Sequence, residues 1–130
     1  MRHALPEDME ELAELEAELF PDNCFNSYTL RHELKFSRCW VVEAEHKLAA
    51  YILARVDGDL VDIIRVGVRE EHRRQGLAYR LMMKALSLAP KAALMVVKTN
   101  RPALRLYQDL GFKISGDLRG SWLMVRGACR

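Results

Sequence analysis

The sequence predicts a mixed α+β fold: a central, mostly antiparallel sheet of about six or seven strands with about four helices. Three apolar or β-branched segments, separated by a polar turn and by an Asp-Gly hairpin signal, favour an antiparallel meander: residues 39–44, 48–56 and 59–68. A strand, helix, strand order over residues 59–97 favours one parallel crossover. The length of 130 residues suits a single domain spanning 1–130.

Composition limits the classes of function. Half of the residues are hydrophobic and 29% are charged, and a formal charge of +2 gives no general attraction to nucleic acid or membranes. No apolar run approaches the roughly 20 residues that span a bilayer, and no signal-peptide core follows Met1. Cys24, Cys39 and Cys129 lack metal-binding spacing and are expected to be reduced thiols, with Cys39 in the core and Cys129 in the tail. We therefore expect a cytoplasmic protein.

Two helices are predicted before the main sheet. Pro6 suits a first helical residue, and acidic residues follow it where the helix dipole favours them. The buried stripe of this first helix is expected to contain Met9, Leu12, Leu15 or Glu16, and Leu19. Pro21 ends the helix, and Ser27 is expected to cap a second one through Phe36.

The third strand of the meander carries polar residues within an apolar segment. Alternation places Asp62, Ile64, Val66 and Val68 on one face, and Arg65 faces the opposite way unless a bulge turns it. Gly67 marks a point where a bulge or the close approach of a ligand is useful. An aspartate in such a strand is costly unless it is paired or hydrated.

A helix, a strand, a helix and a hairpin complete the chain. Apolar residues at helical spacing predict a helix from Leu77, closed by Pro90. Residues 92–97 predict a short strand. Thr99 or Asn100 caps the next helix, which Gly111 ends. The terminal hairpin is predicted at residues 112–114 and 122–125, joined by the short connection 115–120.

The segment Arg73-Arg74-Gln75-Gly76-Leu77-Ala78 lies between a predicted strand and a predicted helix. The first turn of a helix leaves backbone N–H groups unpaired, and the helix dipole adds partial positive charge there. Arg73 and Arg74 add full charge, and Gly76 allows a ligand close to the backbone. This combination predicts a phosphate cradle. Taken alone, so short a pattern is also typical of an ordinary solvated connection.

A second motif lies further along the chain, in residues 100–112. It reads Asn-Arg-Pro-Ala-Leu-Arg-Leu-Tyr-Gln-Asp-Leu-Gly-Phe. Together the two segments resemble the R/Q-x-x-G-x-G/A and N-x-x-A-x-x-L-Y-x-x-x-G-F motifs of the GNAT superfamily of acyl-CoA-dependent N-acyltransferases. Within it the chain is most similar to the ribosomal-protein alanine N-acetyltransferases, which share the Phe20-Pro21 turn and the R-Q-G-L run. The resemblance covers nearly the whole chain.

The resemblance implies the GNAT fold, with a short edge strand at residues 2–4 and a parallel strand pair at the cofactor site. It implies acetyl-CoA as cosubstrate, with the end of the third strand splayed to pair with the pantetheine arm and bind the thioester carbonyl. The cofactor-binding residues that it implies are Val66, Gly67, Val68, Arg73, Arg74, Gln75, Gly76, Leu77, Ala78 and Asn100.

The resemblance also implies residues for catalysis and for the acceptor. Tyr107 matches the tyrosine that protonates the leaving sulfur; the alternative is a core aromatic whose hydroxyl makes one hydrogen bond. The loop between the first two helices borders the acceptor channel in this superfamily. Phe25 and Tyr28 are therefore candidates to line the acceptor site, and packing against the helix pair is their alternative role.

The general base departs from the pattern of the ribosomal alanine acetyltransferases. Their glutamate stands five residues before the motif asparagine, and here that residue is Met95, which cannot accept a proton. Asp62 is the predicted base, because it lies eleven residues before Arg73, as does the catalytic glutamate of some histone-acetylating members. Its alternative role is a solvated strand residue. Glu33 and Glu43 are weaker candidates.

The predicted function is transfer of an acetyl group from acetyl-CoA to a primary amine, with a peptide or protein N-terminus as the leading acceptor. A small free amine is the alternative, because the connection 115–120 lacks the tyrosine that covers the peptide in the ribosomal group. A GNAT-fold acyl-CoA-binding regulatory protein without turnover is a second class. We expect acetyl-CoA and the amine as partners, no nucleic acid, membrane or metal, and a monomer or homodimer.

Overall fold

The computed structural model describes residues 1–127, so Cys129 lies outside the described residues. The strands are β1 (Arg2–His3), β2 (Arg38–Ala44), β3 (Lys47–Asp57), β4 (Leu60–Val68), β5 (Lys91–Val97), β6 (Lys113–Asp117) and β7 (Ser121–Arg126). The α-helices are α1 (Met9–Leu19), α2 (Ser27–Glu33), α3 (Leu77–Leu86) and α4 (Arg101–Asp109). All seven strands form one sheet in the order β1-β2-β3-β4-β5-β7-β6. Only β4 and β5 pair in parallel, so the predicted fold class is confirmed.

Helices α1 and α2 cover one face of the β2–β4 part of the sheet, called here the α1/α2 face. Leucines of both helices pack there on Val41, Tyr51 and Leu53. The cap of α2 is Asn26, whose side chain accepts a hydrogen bond from the Thr29 N–H at 2.8 Å. The predicted cap, Ser27, was wrong: it is the first helical residue, because the preceding asparagine already satisfies the free donor.

Helices α3 and α4 lie on the opposite face, called the α3/α4 face, over the larger core. Leu81, Met82 and Ala85 of α3 pack in this core with Leu94 and Val96 of β5. The predicted helix at 77 and the predicted strand at 92–97 are confirmed, each with bounds shifted by a few residues.

Strand β4 contains a β-bulge at Ile64. Leu53 pairs with Arg65 and Ala54 pairs with Ile63, which leaves Ile64 as an extra residue. The bulge reverses the alternation, so Asp62 lies on the α1/α2 face together with Arg65. The prediction that Asp62, Ile64, Val66 and Val68 share one face was wrong for this reason.

Beyond the bulge, Val66 and Val68 pack on the α3/α4 core. Gly67 instead faces α1, and it pairs regularly with Tyr51, so it is not the bulged residue. A Cβ at Gly67 would lie 2.8 Å from Leu19 Cδ1 and 2.9 Å from Tyr51 Cε1. The glycine is needed to admit the Tyr51 ring.

Candidate functional site

Strands β4 and β5 part halfway along their length. Their parallel pairing ends at Ile63 with Leu94. Beyond that rung β4 pairs with β3, and β5 pairs with β7. Among residues 1–127 no strand fills the space between 64–68 of β4 and 95–97 of β5, which we call the gap.

The backbone of β4 directs N–H and carbonyl groups into the gap, where no described strand pairs with them. The Arg69 N–H donates to the Ala49 carbonyl at 2.7 Å, so residue 69 directs its polar groups toward β3. Because these directions alternate along an antiparallel pair, Gly67 also points toward β3, and Val66 and Val68 point into the gap. The Val68 carbonyl accepts a hydrogen bond there from Arg73 Nε at 3.1 Å. Buried or half-buried amides of this kind favour a ligand that can pair with them.

The loop that follows β4 has room for an anion. Its residues Arg73, Arg74, Gln75 and Gly76 are exposed, and α3 begins directly afterwards at Leu77 with its first N–H groups unpaired. Gly76 has a left-handed φ of 75°, and a Cβ there would meet nothing within 4 Å. Arg74 also has a positive φ of 64°, a conformation that costs a non-glycine residue energy. The open space, the helix N-terminus and two guanidinium groups fit a phosphate-bearing ligand.

Tyr107 lies on α4 within the α3/α4 core. It packs edge-to-face on Phe112, with ring centroids 6.0 Å apart. No described residue hydrogen-bonds its hydroxyl, and no buried polar side-chain atom of residues 1–127 lacks a partner, so the hydroxyl oxygen reaches solvent. The ring packs as a core aromatic, and the catalytic role of the hydroxyl stays a prediction. Burial raises the pKa of Tyr107 to about 12, so the phenol is protonated at neutral pH but is a weaker acid than an exposed tyrosine.

Asn100 is the N-cap of α4, for which the sequence predicts either Thr99 or Asn100. Its Oδ1 accepts a hydrogen bond from the Ala103 N–H at 3.3 Å. The side chain therefore orients the helix that carries Tyr107. A direct contact of Asn100 with the cofactor stays a prediction.

Asp62 lies on the α1/α2 face, one rung before the gap, and pairs with Ala93 of β5. It is exposed, yet partial desolvation raises the pKa of its carboxyl, and the nearby Arg55 opposes that rise. Arg55 itself donates to Glu33 at 2.7 Å. A carboxylate with a raised pKa is a stronger base than an unperturbed aspartate. Of the weaker candidates, Glu33 is held by Arg55, and Glu43 is held by Arg2 at the distant edge of the sheet.

The α1/α2 face of β5 is apolar and open. Met95 is 67% exposed and Val97 is also exposed. Contacts of α1 with the sheet are made to β3 and β4, so the described helices leave this part of the face uncovered. An acceptor can approach the gap from this side.

Sequence reasoning missed a buried charged cluster beside the gap. Glu16 of α1 is 0% exposed, and it hydrogen-bonds Tyr51 and pairs with Arg65. Burial, followed by the charge of Glu16, raises the pKa of Tyr51, which stays the donor of that bond. Loss of one partner from such a pair typically costs about 3–5 kcal/mol. The sequence signal that could have revealed this cluster is an acidic residue at 16 and a basic residue at 65, each within an apolar pattern.

The two aromatic candidates for the acceptor site differ. Phe25 is half-buried, and its ring lies 4.8 Å from the Arg65 guanidinium carbon. Tyr28 is 80% exposed on α2 and makes no such contact within the described chain. The structure brings Phe25, not Tyr28, to the β4 side of the gap.

Within residues 1–127, none of the helices combines the length and the apolar character needed to cross a bilayer.

Comparison with known proteins gives a consistent result. The model of the acetyltransferase (GNAT) family matches residues 5–112, which include both the gap and the loop of residues 73–76. An N-alpha-acetyltransferase of Sulfurisphaera tokodaii is 24% identical over 87% of this chain and 79% of its own.

Two solved structures share the fold over nearly their whole length. The PaiA N-acetyltransferase of Thermoplasma acidophilum, in complex with coenzyme A, has a TM-score of 0.85 at 15% identity, covering 98% of this chain and 97% of its own. The ribosomal-protein-S18-alanine N-acetyltransferase of Escherichia coli has a TM-score of 0.84 at 17% identity, covering 98% and 94%.

The loop geometry predicts how Gly76 substitutions affect acetyl-CoA affinity. Gly76→Asp puts a negative charge where phosphates are expected, whereas Gly76→Asn has nearly the same size and also tolerates a positive φ. We expect calorimetry to show a much larger loss of acetyl-CoA affinity for the aspartate variant.

Gly58→Asp is the matched control, because Gly58 has a φ of 63° and open space but lies in the β3–β4 turn. Equal affinities for folded Gly76→Asp and Gly76→Asn would contradict a phosphate cradle at this loop.

Proposed function

The chain belongs to the acetyltransferase (GNAT) family, and we propose that its acceptor is the α-amino group of a peptide or protein. As a family member it transfers the acetyl group of acetyl-CoA to an amine. The observation that supports this acceptor is Met95, which is exposed at the open face of the gap. The family resemblance implies a general base at this position, and the thioether of Met95 cannot accept a proton.

A site with a weak base favours amines that are already neutral. An α-amino group with a pKa near 7.7 is about 17% neutral at pH 7, whereas an alkyl amine with a pKa near 10.4 is about 0.04% neutral. The ratio is roughly 400-fold in favour of the α-amine. Asp62 is the one carboxylate that we assign here, and it need only assist.

The relatives support the same acceptor class. The Sulfurisphaera relative is named as an N-alpha-acetyltransferase. The Escherichia coli structure is of an enzyme named for an alanine of a ribosomal protein. Neither name fixes the substrate of this chain, so the choice between acceptors depends on the tests below.

A small free amine is the second candidate, and one observation favours it. The connection between β6 and β7 spans only residues 118–120, shorter than the predicted 115–120 because β6 continues to Asp117. So short a segment offers few contacts to a peptide backbone. The family match favours turnover over the third alternative, a regulatory protein that binds acyl-CoA without acetyl transfer.

We assign the roles of the site residues from the family resemblance and from their positions around the gap. Val66 and Val68 pair with the pantetheine arm through their backbone, and the Val68 N–H steadies the developing oxyanion. Gly67 contributes conformation rather than a free amide. Residues 73–78 hold the pyrophosphate, mostly through backbone N–H groups. Asp62 accepts the amine proton, directly or through water, and Tyr107 protonates the leaving sulfur.

Tyr107→Phe should lower turnover and spare acetyl-CoA affinity, because it keeps the ring and removes the proton. General-acid effects are typically about 100- to 10,000-fold. Initial rates of thiol release and a calorimetric Kd on the same preparation separate the two quantities. A variant as fast as the parent would leave Tyr107 with a packing role only.

Asp62→Asn should lower activity most between the pKa of Asp62 and that of the amine, because there the carboxylate is ionised while the amine is still mainly protonated. The folded pKa of Asp62 is raised, so the parent loses the same help as pH falls through that value, and the two profiles should converge at the acidic end. Asp59→Asn is the matched control, since Asp59 pairs with Lys91 at 3.2 Å before the start of β4. Superimposable profiles for Asp62→Asn and the parent would exclude this base.

Peptide acceptors should be better substrates as their length increases from one to about five residues. Contacts remote from the reacting amine contribute to the transition state only if the site holds a chain. The measurement is kcat/KM for peptides of one sequence and for the matching amino acid amide, whose amine has a similar pKa. If length brings no gain, the small-amine acceptor replaces the peptide.

A further inference from the structure

A buried carboxylate joins three segments of the chain on the α1/α2 face. Glu16 accepts hydrogen bonds from the Tyr51 hydroxyl, from Arg65 Nε at 3.1 Å and from the Phe25 backbone N–H at 3.0 Å. Strands β3 and β4 and the α1–α2 loop therefore meet at one side chain of α1.

Arg65 holds the same loop at further points. Its Nη2 donates to the Asn23 carbonyl at 2.9 Å. Its guanidinium carbon lies 4.3 Å from the centre of the Phe20 ring and 4.8 Å from that of Phe25. Lysine has neither the planar fork nor the same capacity to stack on rings. Both ends of the segment 20–25 are thus fixed to β4 through one arginine.

Stability alone does not explain this cluster. Removing two charges from water is expensive, and apolar residues of similar volume often serve stability equally well. The chain also requires Gly67 at this point, since a Cβ there would collide with the Tyr51 ring. The buried cluster of Glu16, Tyr51 and Arg65 instead fixes the position of the α1–α2 loop relative to β3 and β4.

The cluster of Glu16, Tyr51 and Arg65 lies on the side of the gap from which the acceptor approaches. The phosphate cradle begins α3, which lies on the opposite face of the sheet, so the donor occupies that side. The amine must reach the thioester from the α1/α2 face, where Met95 is open. Arg65 is two residues beyond the last paired rung of β4, so the segment 20–25 is the wall of this face beside the gap.

We propose that Arg65, anchored by Glu16, is a positioning residue that fixes the segment 20–25 as one wall of the acceptor site. It does not touch the reacting atoms and acts through Phe20 and Phe25. The proposal rests on the proposed function, because it describes how the acceptor of that site is held.

Arg65→Lys tests it while keeping a positive charge opposite Glu16. We expect kcat/KM for the acceptor to fall about ten- to a hundredfold, mainly through KM, with the acetyl-CoA Kd unchanged. Amide hydrogen exchange in residues 20–25 should become faster. Arg31→Lys is the matched control, because Arg31 pairs with Glu10 at 3.0 Å and joins α2 to α1 without contacting the segment.

Glu16→Gln is the second variant, and it also serves if Arg65→Lys does not fold. It should raise the KM for the acceptor, as Arg65→Lys does. Unchanged acceptor kinetics in a folded variant with faster exchange would overturn the proposal, as would equal losses of acceptor and acetyl-CoA binding. The kinetics are run on the best acceptor of the parent. If that acceptor is a free amine rather than a peptide, the proposed acceptor class fails while the role of Arg65 is still decided.

Discussion

The parting of β4 from β5 is the constraint on which the rest of the structure depends. Two parallel strands that separate inside a sheet leave buried peptide groups without partners, and unpaired groups of this kind are costly. Here the separation begins immediately after the Ile63–Leu94 rung, at the bulge of Ile64. The bulge redirects β4, and the backbone groups of Val66 and Val68 then face the gap, where the Val68 carbonyl accepts a hydrogen bond from Arg73.

The two faces of the sheet differ in the kind of ligand that they suit at the gap. On the α3/α4 face, the helix N-terminus at Gly76 and the buried Tyr107 suit a donor that carries phosphates and a leaving group. On the α1/α2 face, Asp62 and the open Met95 suit an incoming nucleophile. Gly67 lies between Val66 and Val68, and its missing side chain admits the Tyr51 ring on the α1/α2 face.

Local signals predicted most of the fold and the donor half of the site. Helical spacing, the Asp57-Gly58 turn and the glycine-containing loop at 73–78 are short-range patterns whose physical meaning does not depend on the rest of the chain. The face of Asp62 was missed because a single extra residue in a strand reverses every later side chain. The residue that suggested a bulge was Gly67, which pairs regularly, whereas Ile64, the residue that bulges, carries no local signal.

The acceptor wall was missed for a different reason. Glu16 and Arg65 are 49 positions apart in sequence. The spacing of the first helix offered Glu16 only as an alternative to Leu15 in the buried stripe, and nothing local connected it with Arg65. Only their pairing explains why both are tolerated inside. Pairing between distant segments is a property of the tertiary fold, so periodicity within one element cannot reveal it.

Burial acts in the same direction on the two acids to which we assign proton transfer at the gap. Desolvation raises the pKa of Asp62 and of Tyr107, because both ionise to anions. For the carboxyl this means a more basic carboxylate, and for the phenol it means a proton retained up to about pH 12. In the proposed mechanism the amine loses a proton on one face, and the sulfur receives one on the other. Burial therefore favours the role proposed for Asp62, whereas it makes Tyr107 a weaker acid, so proton transfer to the sulfur depends on the charge that develops there rather than on the pKa of the free phenol.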